Sequence, residues 1–198
     1  MGQMLADKNN EEEQEKQQGF AERLLKSRTI LLAEGISKEL AEKVSTKLLL
    51  LDQDDEEKPV KLYINSPGGD VDAGYAIFDM CRFINAPVTC VCAGLTASAA
   101  VIVLLAAPKE RRVSLPNSRF LLHQPSMGVR GSTADIQIEA NEILKMRDRI
   151  NKLIADETGQ DIEKVKKDTH RNFWMDPEEA VEYGLVEKVI KSKTEIED

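Results

Sequence analysis

The stretch Val60-Lys61-Leu62-Tyr63-Ile64-Asn65-Ser66-Pro67-Gly68-Gly69 runs a strand straight into a glycine turn, and what flanks it decides the fold. Residues 60–64 alternate apolar and polar positions as a strand does, and Pro67-Gly68-Gly69 breaks the run at once. Before it lie a strand-like run at 29–32 and a helix start at Ser37, with Leu40, Val44 and Leu48 on one helical face. Strand, helix and strand make a βαβ unit. Beyond the turn, 72–84 reads as a helix, 88–92 as a buried strand and 98–106 as a helix apolar on most sides, hence buried. Two short strands, 112–115 and 119–123, flank the turn signal Pro116-Asn117-Ser118. A long helix at 133–158 follows, with Ile136, Ala140, Ile143, Ile150 and Ile154 at helical spacing, long enough to project from a core. Asp176-Pro177-Glu178-Glu179 has the cap, proline and reaching glutamate of a helix start, Gly184 stops that helix, and 186–190 gives a last strand. The alternation predicts one α/β domain over 19–198 with a largely parallel sheet. Residues 1–18, a run of Asn, Glu, Gln and Lys too polar to bury, read as a tail or mobile loop.

Composition agrees with a single domain: 198 residues, 41% hydrophobic, 31% charged and 5% aromatic, with a formal net charge of −8. The apolar run at 99–107 falls short of the roughly 18 residues a bilayer span requires, so no membrane partner is expected. Acidic balance without a basic stripe argues against nucleic acid. Cys81, Cys90 and Cys92 are odd in number and lack metal-ligand spacing, and so read as buried thiols in a reducing compartment. With no apolar export signal at the N-terminus, the expected location is cytoplasmic.

Three places carry chemistry. Gly68 and Gly69 put two amides without side chains at the carboxyl end of a strand, where α/β folds place ligands; they are oxyanion donors or a plain turn. Ser98 stands between a buried strand and an apolar helix among small residues, Ala93-Gly94-Leu95-Thr96-Ala97-Ser98-Ala99-Ala100, as a nucleophile at a helix N-terminus or as a simple N-cap. His123 closes the apolar run Phe120-Leu121-Leu122 just before Gln124-Pro125, suited to a general base or to a strand-end role. His170 lies on the charged segment 166–171 and reads as solvated, and two histidines without a carboxylate cluster make no zinc site. No metal and no cofactor are expected.

In order, Leu62-Tyr63-Ile64-Asn65-Ser66-Pro67-Gly68-Gly69, Gly94-Leu95-Thr96-Ala97-Ser98, Leu115-Pro116-Asn117-Ser118-Arg119 and His123-Gln124-Pro125 resemble the proteolytic subunits of Clp proteases. The match runs on through Thr158-Gly159-Gln160 and Glu179-Ala180-Val181-Glu182-Tyr183-Gly184-Leu185, and spans about 20–190. The resemblance implies a ClpP/crotonase-like βαβ spiral with a protruding helix-strand handle beginning at Thr133. It implies two stacked seven-membered rings enclosing a chamber, into which an AAA+ unfoldase, hydrolysing ATP itself, feeds unfolded polypeptides. It also implies Ser98 as nucleophile, His123 as general base and the N–H groups of Gly69 and Ala99 as oxyanion hole. The segments holding Gly68, Asp70 and Val71, and Pro125, Ser126 and Met127, are implied to grip an extended peptide as an added strand.

The chain departs from that family pattern at named positions. Asn172 stands at the place of the triad aspartate, and an amide can orient an imidazole without stabilising imidazolium. His170 replaces an acidic residue beside Arg171 in the contacts that join rings. Lys61 replaces an aromatic residue of the unfoldase-docking groove, where Tyr63 and Phe83 match, and 1–18 lacks the apolar segment of an axial pore loop. The expected function is a serine endopeptidase subunit, weak or conditional alone and working beside a paralogous subunit. The alternative is a mainly structural ring subunit that supports a catalytic paralogue. A third reading, a crotonase-type enzyme for coenzyme A esters, shares fold and oxyanion hole but needs no Ser-His pair.

Overall fold

The computed structural model describes residues 19–196 except Ala21, Met127 and Val129; the expected polar tail at 1–18 lies outside the described residues, as does the substrate-strand position Met127. Seven strands form one branched sheet: β1 (Thr29–Leu32), β2 (Val60–Ser66), β3 (Val88–Ala97), β4 (Arg112–Ser114), β5 (Arg119–Leu122), β6 (Phe173–Met175) and β7 (Lys188–Val189). The main order is β1-β2-β3-β4-β7, all parallel, with β5 branching from β3 in parallel and β6 antiparallel on β5. Among the described residues the helices around it include α1 (Lys38–Asp54), α2 (Val71–Phe83), α3 (Ala99–Leu104), α4 (Thr133–Thr158), α5 (Ile162–Asp168) and α6 (Pro177–Tyr183), and 22–26 is helical as well.

The helices begin where side chains can accept their orphan N–H groups. Ser37 accepts from Leu40 N at 3.2 Å and Asp70 from Ala73 N at 2.8 Å, while Ser132 with Asp135 and Asp176 with Glu179 form reciprocal capping boxes. α1 buries Leu40, Ala41, Val44, Leu48 and Leu51, one face at helical period. α3 is buried along its whole length, as its composition predicts, but spans Ala99–Leu104 rather than 98–106. In α4 the buried residues, Ile150, Asn151 and Ile154, all belong to the C-terminal half, and Ile136, Ile138 and Leu144 are exposed, so the helix protrudes.

The feature that positions the site is a fork in β3. Its first half pairs with β4, Cys90↔Arg112 to Cys92↔Ser114, and its second half with β5, Leu95↔Arg119 to Ala97↔Leu121. At the turnover Gly94 has φ +114°, and a Cβ there would lie 2.6 Å from Asn65 Oδ1, so the strand can turn only with glycine. The slipped β2–β3 register is bridged by a side chain, Leu95 N donating to Asn65 Oδ1 at 3.0 Å, and from the turn before β5 Ser118 Oγ donates to Cys92 O at 2.9 Å on the other side of the fork. Two expectations need correction at the far edge. The last strand is Lys188–Val189, shorter than 186–190, because Leu185 and Val186 still bond back to Ala180 in closing α6. β6, absent from the sequence reading, exists because Phe173–Met175 pairs with β5.

Candidate active site

β3 delivers Ser98 at the end of its forked half, and the backbone there is strained. Ser98 has φ +57° and ψ −125°, a conformation that costs a non-glycine residue about 1–3 kcal/mol and persists only where the surroundings enforce it. The surroundings do so from two sides. Ser98 N donates to Leu121 O of β5 at 2.9 Å, and Gly68 packs so closely beneath the turn that a Cβ on it would fall 2.5 Å from Ala97 O, 2.7 Å from Ser98 Cβ and 2.8 Å from Ala99 N. The Ser98 side chain makes no capping bond to α3, so the simple N-cap reading does not hold. A serine held at a strained strand-to-helix elbow presents its Oγ outward, the geometry of activated serines on α/β scaffolds.

The glycine turn brings in the donors. Gly68 O accepts from Ile36 N and Ile36 O accepts from Asp70 N, at 2.8 and 2.9 Å, which leaves the intervening Gly69 N–H without a partner among the described residues. At φ +148° a Cβ on Gly69 would lie 2.3 Å from Ile36 O, so only glycine fits. Ala99 N, in the first turn of α3, is likewise unengaged among the described residues. Asp70 caps α2 with its side chain, so what it offers a ligand is its place on the rim.

Across the cleft stands His123. Its Nε2, the nitrogen that a Ser-His pair turns toward the serine, is buried and has no hydrogen-bond partner, Ser98 included, among the described residues. A cleft of about 420 Å³ is lined by Gly69, Asp70, Val71, Ser98, His123, Pro125 and Ser126; of the expected rim residues Gly68 is not among its walls, packing instead beneath the Ser98 turn, and Met127 lies outside the described residues. Behind Ser98, a small apolar cavity is walled by Ala99, Val101, Ile102, Leu122, Ile150 and Ile154. Asn172 lines neither space. The last β5–β6 pair is Leu122↔Phe173; beyond it Gln124 N donates to Thr169 O, which departs from that register, and Asn172 is exposed, with no hydrogen bond to His123 among the described residues. Ile143 and Met146 of α4 also line the cleft. Their spacing with Ile150 could have pointed to Met146, which the sequence reading passed over.

The rest of the titratable chemistry is inert. Burial pushes the Cys81 and Cys92 thiols up to about 12 and the Cys90 thiol well above its usual range, and all three are free. His170 is exposed, and among the described residues no group of His, Cys, Asp or Glu side chains is arranged to hold a metal ion. Nor is any helix among the described residues long and apolar enough to cross a membrane.

A forked parallel sheet that puts a strained serine, a histidine and the free Gly69 amide on one cleft suits an α/β hydrolytic enzyme. Within that class the comparisons are specific. The Clp protease family model matches residues 11–193, and the chain belongs to that family. It is 52% identical over 190 residues to ATP-dependent Clp protease proteolytic subunit 2 of Treponema denticola, covering 94% of this chain and 95% of the relative. It is 48% identical over 173 residues to proteolytic subunit 3 of Rhizobium etli, covering 87% and 89%. Among solved structures, an asparagine-to-aspartate mutant of ClpP1 from Listeria monocytogenes superposes with a TM-score of 0.84 at 44% identity, covering 90% of this chain and 99% of that one.

Proposed function

We propose that the chain is a serine endopeptidase subunit of a Clp-type barrel, cleaving unfolded polypeptide with Ser98 as nucleophile. The observation that carries the reading is the Ser98 elbow, strained, uncapped and lining the same cleft as His123, whose Nε2 has no partner among the described residues. An extended peptide lies as an added strand between the rims at 68–71 and 125–126. His123 takes the Ser98 proton as Oγ attacks the scissile carbonyl. The N–H groups of Gly69 and Ala99 receive the negative oxygen, and the proton then goes to the leaving amine as the C–N bond breaks. Water, deprotonated by the same imidazole, releases the acyl group. The apolar cavity walled by Val101, Ile102, Ile150 and Ile154 suits a compact apolar side chain next to the scissile bond.

Asn172 makes the chain a weak or conditional enzyme, since its amide cannot stabilise the imidazolium formed in the first step. The assembly is two stacked heptamers, working with a paralogous subunit and served by an AAA+ unfoldase that hydrolyses the ATP; the numbered names of the relatives, subunits 2 and 3, support the paralogue. Asn172 also favours the second reading, a mainly structural ring subunit whose paralogue cleaves. Labelling decides between them. A fluorophosphonate adduct is expected on the peptide containing Ser98 and lost in Ser98→Ala; no adduct in intact, assembled protein would leave the structural reading.

A further inference from the structure

Gln124 follows His123 directly, yet it faces away from the cleft. It lines a separate cavity of about 150 Å³ with Arg147, Asn151, Lys166, Thr169 and His170. From there it holds the loop that leads to Asn172: its backbone N–H donates to Thr169 O at 2.8 Å and its Nε2 to His170 O at 3.0 Å. Thr169 is anchored in turn. Its Oγ1 lies 2.9 Å from both Asn151 Oδ1 and Val165 O, and Thr169 and Asn151 are 1% and 2% exposed.

These bonds stand where the sheet stops helping. The β5–β6 ladder ends at Leu122↔Phe173, so His123 and Asn172 sit one residue past the last paired position. What fixes their separation from the far side is the Gln124 link to residues 169 and 170. We propose that Gln124, backed by Thr169 and Asn151, is a positioning residue that holds the loop bearing Asn172 beside the strand end that carries His123, and so sets the imidazole for Ser98. This rests on the serine-peptidase reading above. The Gln124 side-chain bond is exposed and its loss leaves the core untouched, so the fold survives. Alignment is less forgiving, because a misplacement of about 1 Å at such a site can cost about a hundredfold in rate.

The test uses the full chain in its assembled form, with Gln124→Ala, Thr169→Val and Thr169→Ser as variants. Amide hydrogen exchange over 169–173 is read alongside saturation kinetics of Ser98 acylation by a fluorophosphonate, with thermal midpoint and particle mass as controls. For Gln124→Ala and Thr169→Val the expected result is faster exchange and a maximal acylation rate lower by about tenfold or more, with the half-saturating probe concentration unchanged. Thr169→Ser, which keeps the hydroxyl, should behave as the wild type. Unchanged exchange in Gln124→Ala overturns the proposal, as does faster exchange with an unchanged maximal rate. So does an effect confined to the half-saturating concentration, which would make Gln124 a substrate contact. No acylation of Ser98 in the wild-type protein would sink the peptidase reading instead, and the exchange over 169–173 would still decide whether Gln124 holds the loop.

Discussion

On the proposed reading, Asn172 is a neutral amide at a place where a carboxylate would stabilise positive charge on His123. In a serine peptidase the acid-to-amide change lowers turnover by about ten-thousandfold, which converts to about 5 kcal/mol of transition-state stabilisation. Asn172→Asp is therefore expected to raise peptide hydrolysis by orders of magnitude with particle mass unchanged; an equal or lower rate in intact particles would place the defect in the Ser98–His123 alignment. The cysteines set a second expectation. Their folded-state pKa values are raised from 9.0 to about 12 for Cys81 and Cys92, so between those limits the folded protein keeps protons that the unfolded chain releases. Their contribution is complete below about pH 9 and is lost as pH rises toward 12. Urea unfolding should show stability falling steeply above about pH 9, and a Cys81→Ala/Cys92→Ala double variant should show a shallower fall. The places of Ser98 and His123 at strand ends were legible in the sequence because small residues beside a strand end and an apolar strand closing on histidine are local signals. The strain at Ser98 was not, since β5 and Gly68 impose it from elsewhere in the chain.

At the next scale, elements were legible in proportion to how far their own residues determine them. Thr133–Thr158 matches its predicted span because a capping box opens it and Gly159, at φ +74°, closes it. β6 escaped because Phe173–Met175 has no pattern of its own and becomes a strand by pairing with β5. β3 ran past its predicted end because the fork at Gly94 looks like a stop in sequence and is a bend in space. The C-terminus of α1 shows a long-range device of the same kind. Arg28 reaches from the start of β1 to the carbonyls of Leu51, Asp55, Lys58 and Pro59 at 2.8–3.3 Å, tying the helix end to the strand that follows. Its side chain is 11% exposed, so these bonds are partly shielded from water. Arg28→Ala should lower the unfolding free energy by about 2–3 kcal/mol, the range for losing several charge-assisted bonds, and Arg28→Lys should recover only a small part, since an ammonium cannot span four carbonyls. Urea titration of the two variants measures both.

Taken as a whole, the molecule keeps apolar surface that one chain does not cover. Phe83 is 76% exposed, and Ile138 on the protruding half of α4 is 59% exposed. Burial of such surface in rings is the expectation of the proposed assembly, in which exposed His170 would stand at the ring junction and weaken self-pairing. Native mass spectrometry of the chain alone should find single rings or a double ring with little activity, and a paralogous subunit should restore both pairing and turnover; a stable, fully active double ring of this chain alone would contradict that. The fork in β3 has a consequence in time as well as in space. During synthesis Ser98 leaves the ribosome before β5, His123 leaves after it, and Asn172 follows later still. The first half of β3 can settle on β2 early, but the elbow has nothing to brace it until Leu121 arrives to accept the Ser98 N–H. On the proposed reading the nascent chain thus carries an unbraced serine with no base beside it, and the cutting edge would be sharpened only after most of the polypeptide has been made.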